Sequence, residues 1–131
     1  MIGLDSSILV RFFAQDDPIQ TPKADVVMRS LSPETVGYIP TVALAELIWV
    51  MGSNFGARRP VIARIVEHLI QSELLIVESK AVVKSALQLF IVSSSDFADC
   101  LILRTCQRIG CEHTTTFDRK ASRMAGMRLI E

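Results

Sequence analysis

The sequence predicts an α/β protein, a three-layer α/β/α sandwich around a mainly parallel sheet of roughly five strands. Short apolar runs without polar alternation, such as residues 74–77, are typical of strands that are covered on both faces. These runs alternate with segments of helical periodicity, an order that is typical of parallel strands joined by right-handed crossovers. A chain of 131 residues, half of them apolar, fits one domain spanning residues 1–131 with a well-filled core.

Turn and capping residues delimit the predicted elements. The first strand ends at Asp5, and Ser6 is placed to start the first helix. Thr41 is placed to cap the third helix, which Gly52 is expected to stop, and Gly110 follows the last helix. In order, we predict a strand at 1–5, helices at 8–13 and 21–31, a strand at 36–39, helices at 42–51 and 60–70, a strand at 74–77, helices at 80–92 and 96–109, and strands at 114–117 and 127–130.

Composition excludes several classes of protein. Every apolar run is interrupted well before the roughly 18 residues of a membrane span, and no basic region and cleavage pattern mark a secretory signal. We therefore expect a cytoplasmic protein with no membrane partner. The three cysteines, Cys100, Cys106 and Cys111, contain no C-x-x-C pair and suit reduced core thiols better than disulfides or a zinc site.

Charge is balanced overall but uneven in its distribution. The chain has 14 basic and 14 acidic residues, so net charge gives no support to a nucleic-acid partner. If five acids that we single out below form one cluster, the remaining surface is basic. Arg119, Lys120 and Arg123 closely follow one of these acids, Asp118, so positive charge would flank an acidic centre.

Three acids lie in mainly apolar helical segments, where a carboxylate needs explaining. Asp96 and Asp99 are three residues apart and share one helix face, and the neighbours of Asp99 leave little polar surface. Glu46 is the only charged residue in 42–50. Burying an unpaired carboxylate costs several kcal/mol at least, so each needs a partner, a proton or a metal ion.

Three of the acids have simpler explanations than a metal site. Asp96 alone is best explained as the N-cap of its helix, Asp118 as a turn former, and Asp5 as a helix cap. A cap or turn role does not explain Asp99 or Glu46. On the predicted sheet Asp5 stands at the carboxyl end of a strand, where the functional crevice of an open parallel sheet lies.

All five acids can converge at that edge, where like charges would repel unless a cation joined them. Oxygen ligands without histidine or thiolate select Mg²⁺ or Mn²⁺. Such a centre performs metal-assisted phosphodiester hydrolysis by polarising phosphorus and lowering the pKa of a water molecule. In this scheme Asp5 and Asp99 are direct ligands, Glu46 and Asp118 complete the shell, and Asp96 orients or ligates.

Two hydroxyl groups are candidates for an accessory role at this centre. Ser7 follows Asp5 by two residues, and Thr116 precedes Asp118 by two. Either hydroxyl is expected to fix a carboxylate or a metal-bound water by a hydrogen bond. By contrast, Trp49 lies at helical spacing among apolar residues and is predicted to be core.

Three stretches, MIGLDSSILVRFFAQDD, PTVALAELIWVM and DFADCLILRTCQRIGCEHTTTFDRKASRMAGMRLI, resemble PIN-domain ribonuclease toxins of the VapC type. The resemblance runs in order from end to end. It implies that Asp5, Glu46, Asp99 and Asp118 are catalytic, with Asp96 accessory. It further implies an Mg²⁺- or Mn²⁺-dependent endoribonuclease toxin, a cognate antitoxin as inhibitor and a homodimer. Because the implied substrate is RNA, the basic residues Arg119, Lys120 and Arg123 are candidates for RNA binding.

The sequence departs from the usual family pattern at a few positions. Ser6 and Ser7 replace a threonine and an asparagine, and Arg104 and Cys106 replace small residues along the helix.

Two other functions compete with this hypothesis. A catalytically inactive PIN-like module that only binds RNA or protein is disfavoured by the intact set of acids. Phosphoaspartate receivers and haloacid-dehalogenase-like phosphatases also carry an acid after their first strand. Ser7 stands where such a phosphatase needs a second aspartate, and no lysine follows the last strand.

Overall fold

The computed structural model describes all 131 residues as two compact units, Met1–Lys80 and Ala81–Glu131. The single domain expected from the sequence stays a prediction. No helix is both long enough and apolar enough to cross a membrane.

The first unit contains three parallel strands and four helices. Its elements are β1 (Ile2–Gly3), α1 (Ser6–Ala14), α2 (Gln20–Arg29), β2 (Gly37–Ile39), α3 (Thr41–Phe55), α4 (Arg59–Gln71) and β3 (Leu75–Val77). The strands pair in the order β1-β2-β3, with Gly3 opposite Tyr38 and Tyr38 opposite Ile76. Helices α1 and α3 therefore follow the neighbouring parallel strands β1 and β2, and these two helices pack against each other.

The second unit contains two helices and a two-stranded parallel sheet. Its elements are α5 (Lys80–Val92), α6 (Phe97–Ile109), β4 (Thr114–Thr116), a short 3-10 turn (Ala121–Arg123) and β5 (Met127–Leu129). Phe90 of α5 and Phe97 of α6 meet edge to face at 5.9 Å between ring centroids. Leu103 is fully buried, and Cys100 lies beside the Met124 sulfur at 3.8 Å.

The α/β class and the five parallel strands confirm the sequence prediction. The strands are hydrogen-bonded as one group of three and one of two, not as one continuous sheet. The strands are only two or three residues long, so few backbone hydrogen bonds join them.

Two predictions about α3 were wrong. The helix continues through Gly52 and ends at Gly56, whose φ of 64° is the left-handed conformation that favours glycine. Thr41 does not cap the helix: Pro40 occupies the cap position, and the Thr41 N–H donates to Glu78 Oε1 at 2.7 Å. That bond lowers the pKa of Glu78, so a carboxylate after β3 takes the place of the missing side-chain cap.

Candidate active site

Asp5 caps α1 and is held by the serine two residues later. Its Oδ2 accepts from the Ser7 N–H at 3.1 Å and from Ser7 Oγ at 2.5 Å. Both bonds lower the pKa of Asp5, because they stabilise the ionised carboxylate, and the bond from the Ser7 hydroxyl has the larger effect. Asp5 is therefore an exposed anion in fixed orientation, and Ser7 makes the contact expected of it.

Glu46 is held from α1, not from its own helix. Ser6 Oγ donates a hydrogen bond to Glu46 Oε1, although the two residues are 40 positions apart in sequence. The Ser6 residue is buried, whereas Glu46 is exposed, so the expectation of an apolar setting for Glu46 was wrong. Through Ser6 the first unit brings Asp5 and Glu46 into one neighbourhood.

Sequence reasoning missed the role of Ser6, which it treated only as a helix start. A single signal was available: Ser6 and Glu46 lie on helices that leave neighbouring parallel strands, so their first turns lie at the same edge of the sheet.

The second unit brings three of the predicted acids together. Asp96 is the N-cap of α6, and its Oδ1 accepts from the Asp99 N–H at 2.8 Å, which confirms the capping interpretation. The Asp99 side chain is half-buried, and its pKa is raised to about 6. Burial is the largest cause, followed by the negative charge of Asp96, a hydrogen bond with Asp96 and the negative charge of Asp118.

Asp118 organises the turn after β4. Its Oδ1 accepts from the N–H groups of Lys120 at 2.8 Å and Ala121 at 3.0 Å. Thr116 Oγ1 accepts from the Asp118 N–H at 3.0 Å, so Thr116 fixes the main chain of Asp118 and not its carboxylate. The turn leaves Asp118 exposed beside Asp99, whose acidity it affects.

The basic residues after Asp118 are all exposed. Arg119 lies 3.9 Å from Glu131 in a surface ion pair, and such pairs contribute little to stability. Arg119, Lys120 and Arg123 thus present positive charge in the same turn as Asp118, and their contact with RNA stays a prediction.

The donor set fits a hard divalent cation by its chemistry. Every candidate ligand offers carboxylate oxygen, and neither the Arg11–Asp16 pair nor the Arg119–Glu131 pair neutralises a candidate acid. Burial, and after it the negative charges of Asp96 and Asp118, raise the pKa of Asp99, so these acids lie close enough to repel one another. No three His, Cys, Asp or Glu side chains form a group that could hold a metal ion in the structure, so the metal site stays a prediction.

Comparisons with known proteins identify the family that the chain matches. The family model described as the PIN domain matches residues 2–127. A VapC ribonuclease of Aquifex aeolicus is 23% identical over 122 residues, which cover 92% of this chain and 90% of that protein. The crystal structure of Mycobacterium tuberculosis VapC20, a toxin that cleaves the sarcin-ricin loop, has 15% identity and a TM-score of 0.49, with 96% of each chain covered.

Proposed function

This chain belongs to the PIN-domain family, and we propose that it is a VapC-type toxin, a Mg²⁺- or Mn²⁺-dependent endoribonuclease that hydrolyses RNA phosphodiester bonds. The observation that carries the proposal is the acidic group of Asp96, Asp99 and Asp118, in which burial and the two neighbouring charges raise the pKa of Asp99 to about 6. A fold gains nothing from such repulsion unless a cation relieves it. The related Aquifex ribonuclease supports RNA as the substrate.

In this proposal the cation is held by carboxylate oxygens. Asp5 and Asp99 are direct ligands, Asp118 and Glu46 complete the shell directly or through water, and Asp96 orients or ligates. When bound, the ion polarises the scissile phosphate and makes water a stronger nucleophile at neutral pH. Arg119, Lys120 and Arg123 are proposed to bind the RNA backbone beside Asp118.

The serines at the start of α1 position two of these acids. Ser7 Oγ fixes Asp5 and keeps it ionised, and Ser6 Oγ fixes Glu46. A ligand already held in one orientation loses less conformational freedom when the ion binds. This chain therefore uses two short hydroxyl side chains where the resemblance implies threonine and asparagine.

A cognate antitoxin and a second copy of the chain are the proposed protein partners, in the cytoplasm. Exposed apolar side chains in both units support contact with protein. On α3, Val42 and Trp49 are 77% and 67% exposed, so the prediction that Trp49 is core was wrong. On α6, Ile102 and Ile109 are 50% and 82% exposed.

The test is cleavage of total RNA by the purified, antitoxin-free protein with Mg²⁺, Mn²⁺ or EDTA. We expect metal-dependent cleavage that falls about a hundredfold or more in Asp5→Asn and in Asp99→Asn, because loss of an outer-shell contact alone costs about 10–100-fold. Glu112→Gln, an exposed acid outside the candidate site, is the matched control and should cleave normally. Equal cleavage by all variants would overturn the site, and RNA binding without cleavage by the wild-type protein would favour an inactive binding module.

A further inference from the structure

A cavity lies between α5 and α6, within the second unit. Its volume is about 240 Å³, and it is open to solvent on one side. Its lining combines two apolar residues and a serine of α5 with polar and basic residues of α6, namely Ala81, Val82, Ser85, Arg104, Gln107 and Arg108. No carboxylate lines it, so its electrostatic character is positive.

Arg104 is the unusual residue of this cavity. Its Nε is buried and has no hydrogen-bond acceptor, while its NH1 donates to Gln107 Oε1 at 2.7 Å. Neither ion pair of the protein includes Arg104 or Arg108. A half-buried guanidinium with an unmet donor and no counter-charge is unfavourable, and a bound anion would relieve both defects.

Arg108 lies one helical turn after Arg104, on the same face of α6. Like charges four residues apart destabilise an isolated helix slightly, so the pair adds to the positive charge that nothing in the cavity balances. Ser85 faces them from α5, with a hydroxyl that can donate one more hydrogen bond. Two guanidinium forks and one hydroxyl, coming from two helices, suit an anion with several oxygens.

We propose that this cavity, built by Arg104, Arg108 and Ser85, is a phosphate-binding site. The phosphate is supplied by an RNA backbone or by free phosphate, which share the same oxyanion chemistry. The site is separate from the acidic group: Arg104 and Arg108 follow Asp99 by five and nine residues, which is about 8 Å and about 14 Å along the axis and close to the opposite side of the helix. An RNA bound here would therefore gain a contact remote from the cleaved bond.

Arginine side-chain NMR tests the site in the full-length protein. The Nε–H signals of Arg104 and Arg108 are followed in EDTA, which prevents cleavage, while inorganic phosphate or a short RNA is added. Chloride at equal ionic strength controls for screening. Saturable shifts of both signals with phosphate, with RNA or with both support the proposal, and the arm that responds identifies the source.

Variants connect the shifts to the two guanidinium groups. Arg104→Gln and Arg108→Gln should each weaken binding of the responding probe about tenfold, because a charge-assisted hydrogen bond is lost. Arg104→Lys keeps the charge but loses the planar fork, and should also weaken binding. Arg64→Gln, on exposed α4 surface, is the matched control.

Circular dichroism melts show whether each variant folds. The proposal would be overturned if neither phosphate nor RNA shifted the two signals. It would also be overturned if chloride produced the same shifts. So would unchanged affinity in folded Arg104→Gln and Arg108→Gln. The result is independent of the ribonuclease proposal, because a protein that cleaves RNA normally can fail this test and an inactive one can pass it.

Discussion

Replacing Asp99 by asparagine should stabilise the metal-free protein at neutral pH. In the folded chain the Asp99 pKa is about 6, against an ordinary value of 3.8. A difference of about two pKa units corresponds to about 3 kcal/mol if solvent does not screen the charge. Asp99 is only half-buried, so screening reduces the expected gain to about 1 kcal/mol, or about 3–5 °C in Tm for a chain of this size.

The gain in stability expected from Asp99→Asn depends on pH. Because folding raises the pKa, folding favours the protonated acid, so the contribution to stability is complete below about pH 4 and is lost as the pH rises through about 6. Asparagine is neutral throughout. Asp99→Asn should therefore be more stable than wild type at about pH 7.5 and equally stable at about pH 4.

Urea unfolding in EDTA at the two pH values measures the effect. Glu112→Gln, in which an exposed acid of the same unit is neutralised, should change the free energy of unfolding by less than about 0.5 kcal/mol. The reasoning is refuted if Asp99→Asn gives no gain at about pH 7.5, or if the gain is equally large at about pH 4.

Three further outcomes follow from the same contacts. Mg²⁺ affinity, measured by calorimetry, should fall by up to about tenfold per pH unit below about 6, because protons compete for Asp99; a constant affinity down to pH 5 would contradict this. Ser7→Ala should raise the pKa of Asp5, whereas Ser7→Thr, which keeps the hydroxyl, should not. NMR of the Asp5 carboxyl carbon measures this pKa, and equal values in the wild type and both variants would contradict the role of the hydroxyl. Gly37→Ala should lower the free energy of unfolding by urea by about 1–3 kcal/mol, because its Cβ would lie 2.8 Å from a Leu4 methyl group. An unchanged free energy of unfolding would contradict this, because the core around Leu4 would then accommodate the methyl group without strain.

Local chemistry made much of the fold predictable. Asp5 and Asp96 were identified as helix caps because a short acidic side chain before an apolar periodic segment is a local signal. Gly52 misled the prediction because a helix interior tolerates glycine at a cost of about 1 kcal/mol, which buried neighbours such as Met51 offset. The residue that does end the helix, Gly56, differs in its positive φ, which sequence does not state.

Side-chain environments depended on tertiary contacts and were harder to predict. Trp49 was expected inside because it is large and apolar, but periodicity does not say which face of a helix is covered. Glu46 was expected to be buried, yet it is exposed and bonded to Ser6, a residue 40 positions away. Asp96, Asp99 and Asp118 influence one another because two of them share a helix turn and the third follows a strand, and their shared metal site stays a prediction.

The central claim is that Asp5 and Asp99 are both ligands of a divalent cation. Mn²⁺ binding to the metal-free protein, followed by electron paramagnetic resonance, tests it without RNA or antitoxin. Asp5→Asn and Asp99→Asn should each weaken Mn²⁺ binding by about tenfold or more, while Glu112→Gln binds as wild type does. Wild-type Mn²⁺ affinity in Asp5→Asn, with loss of binding only in Asp99→Asn, would contradict the claim.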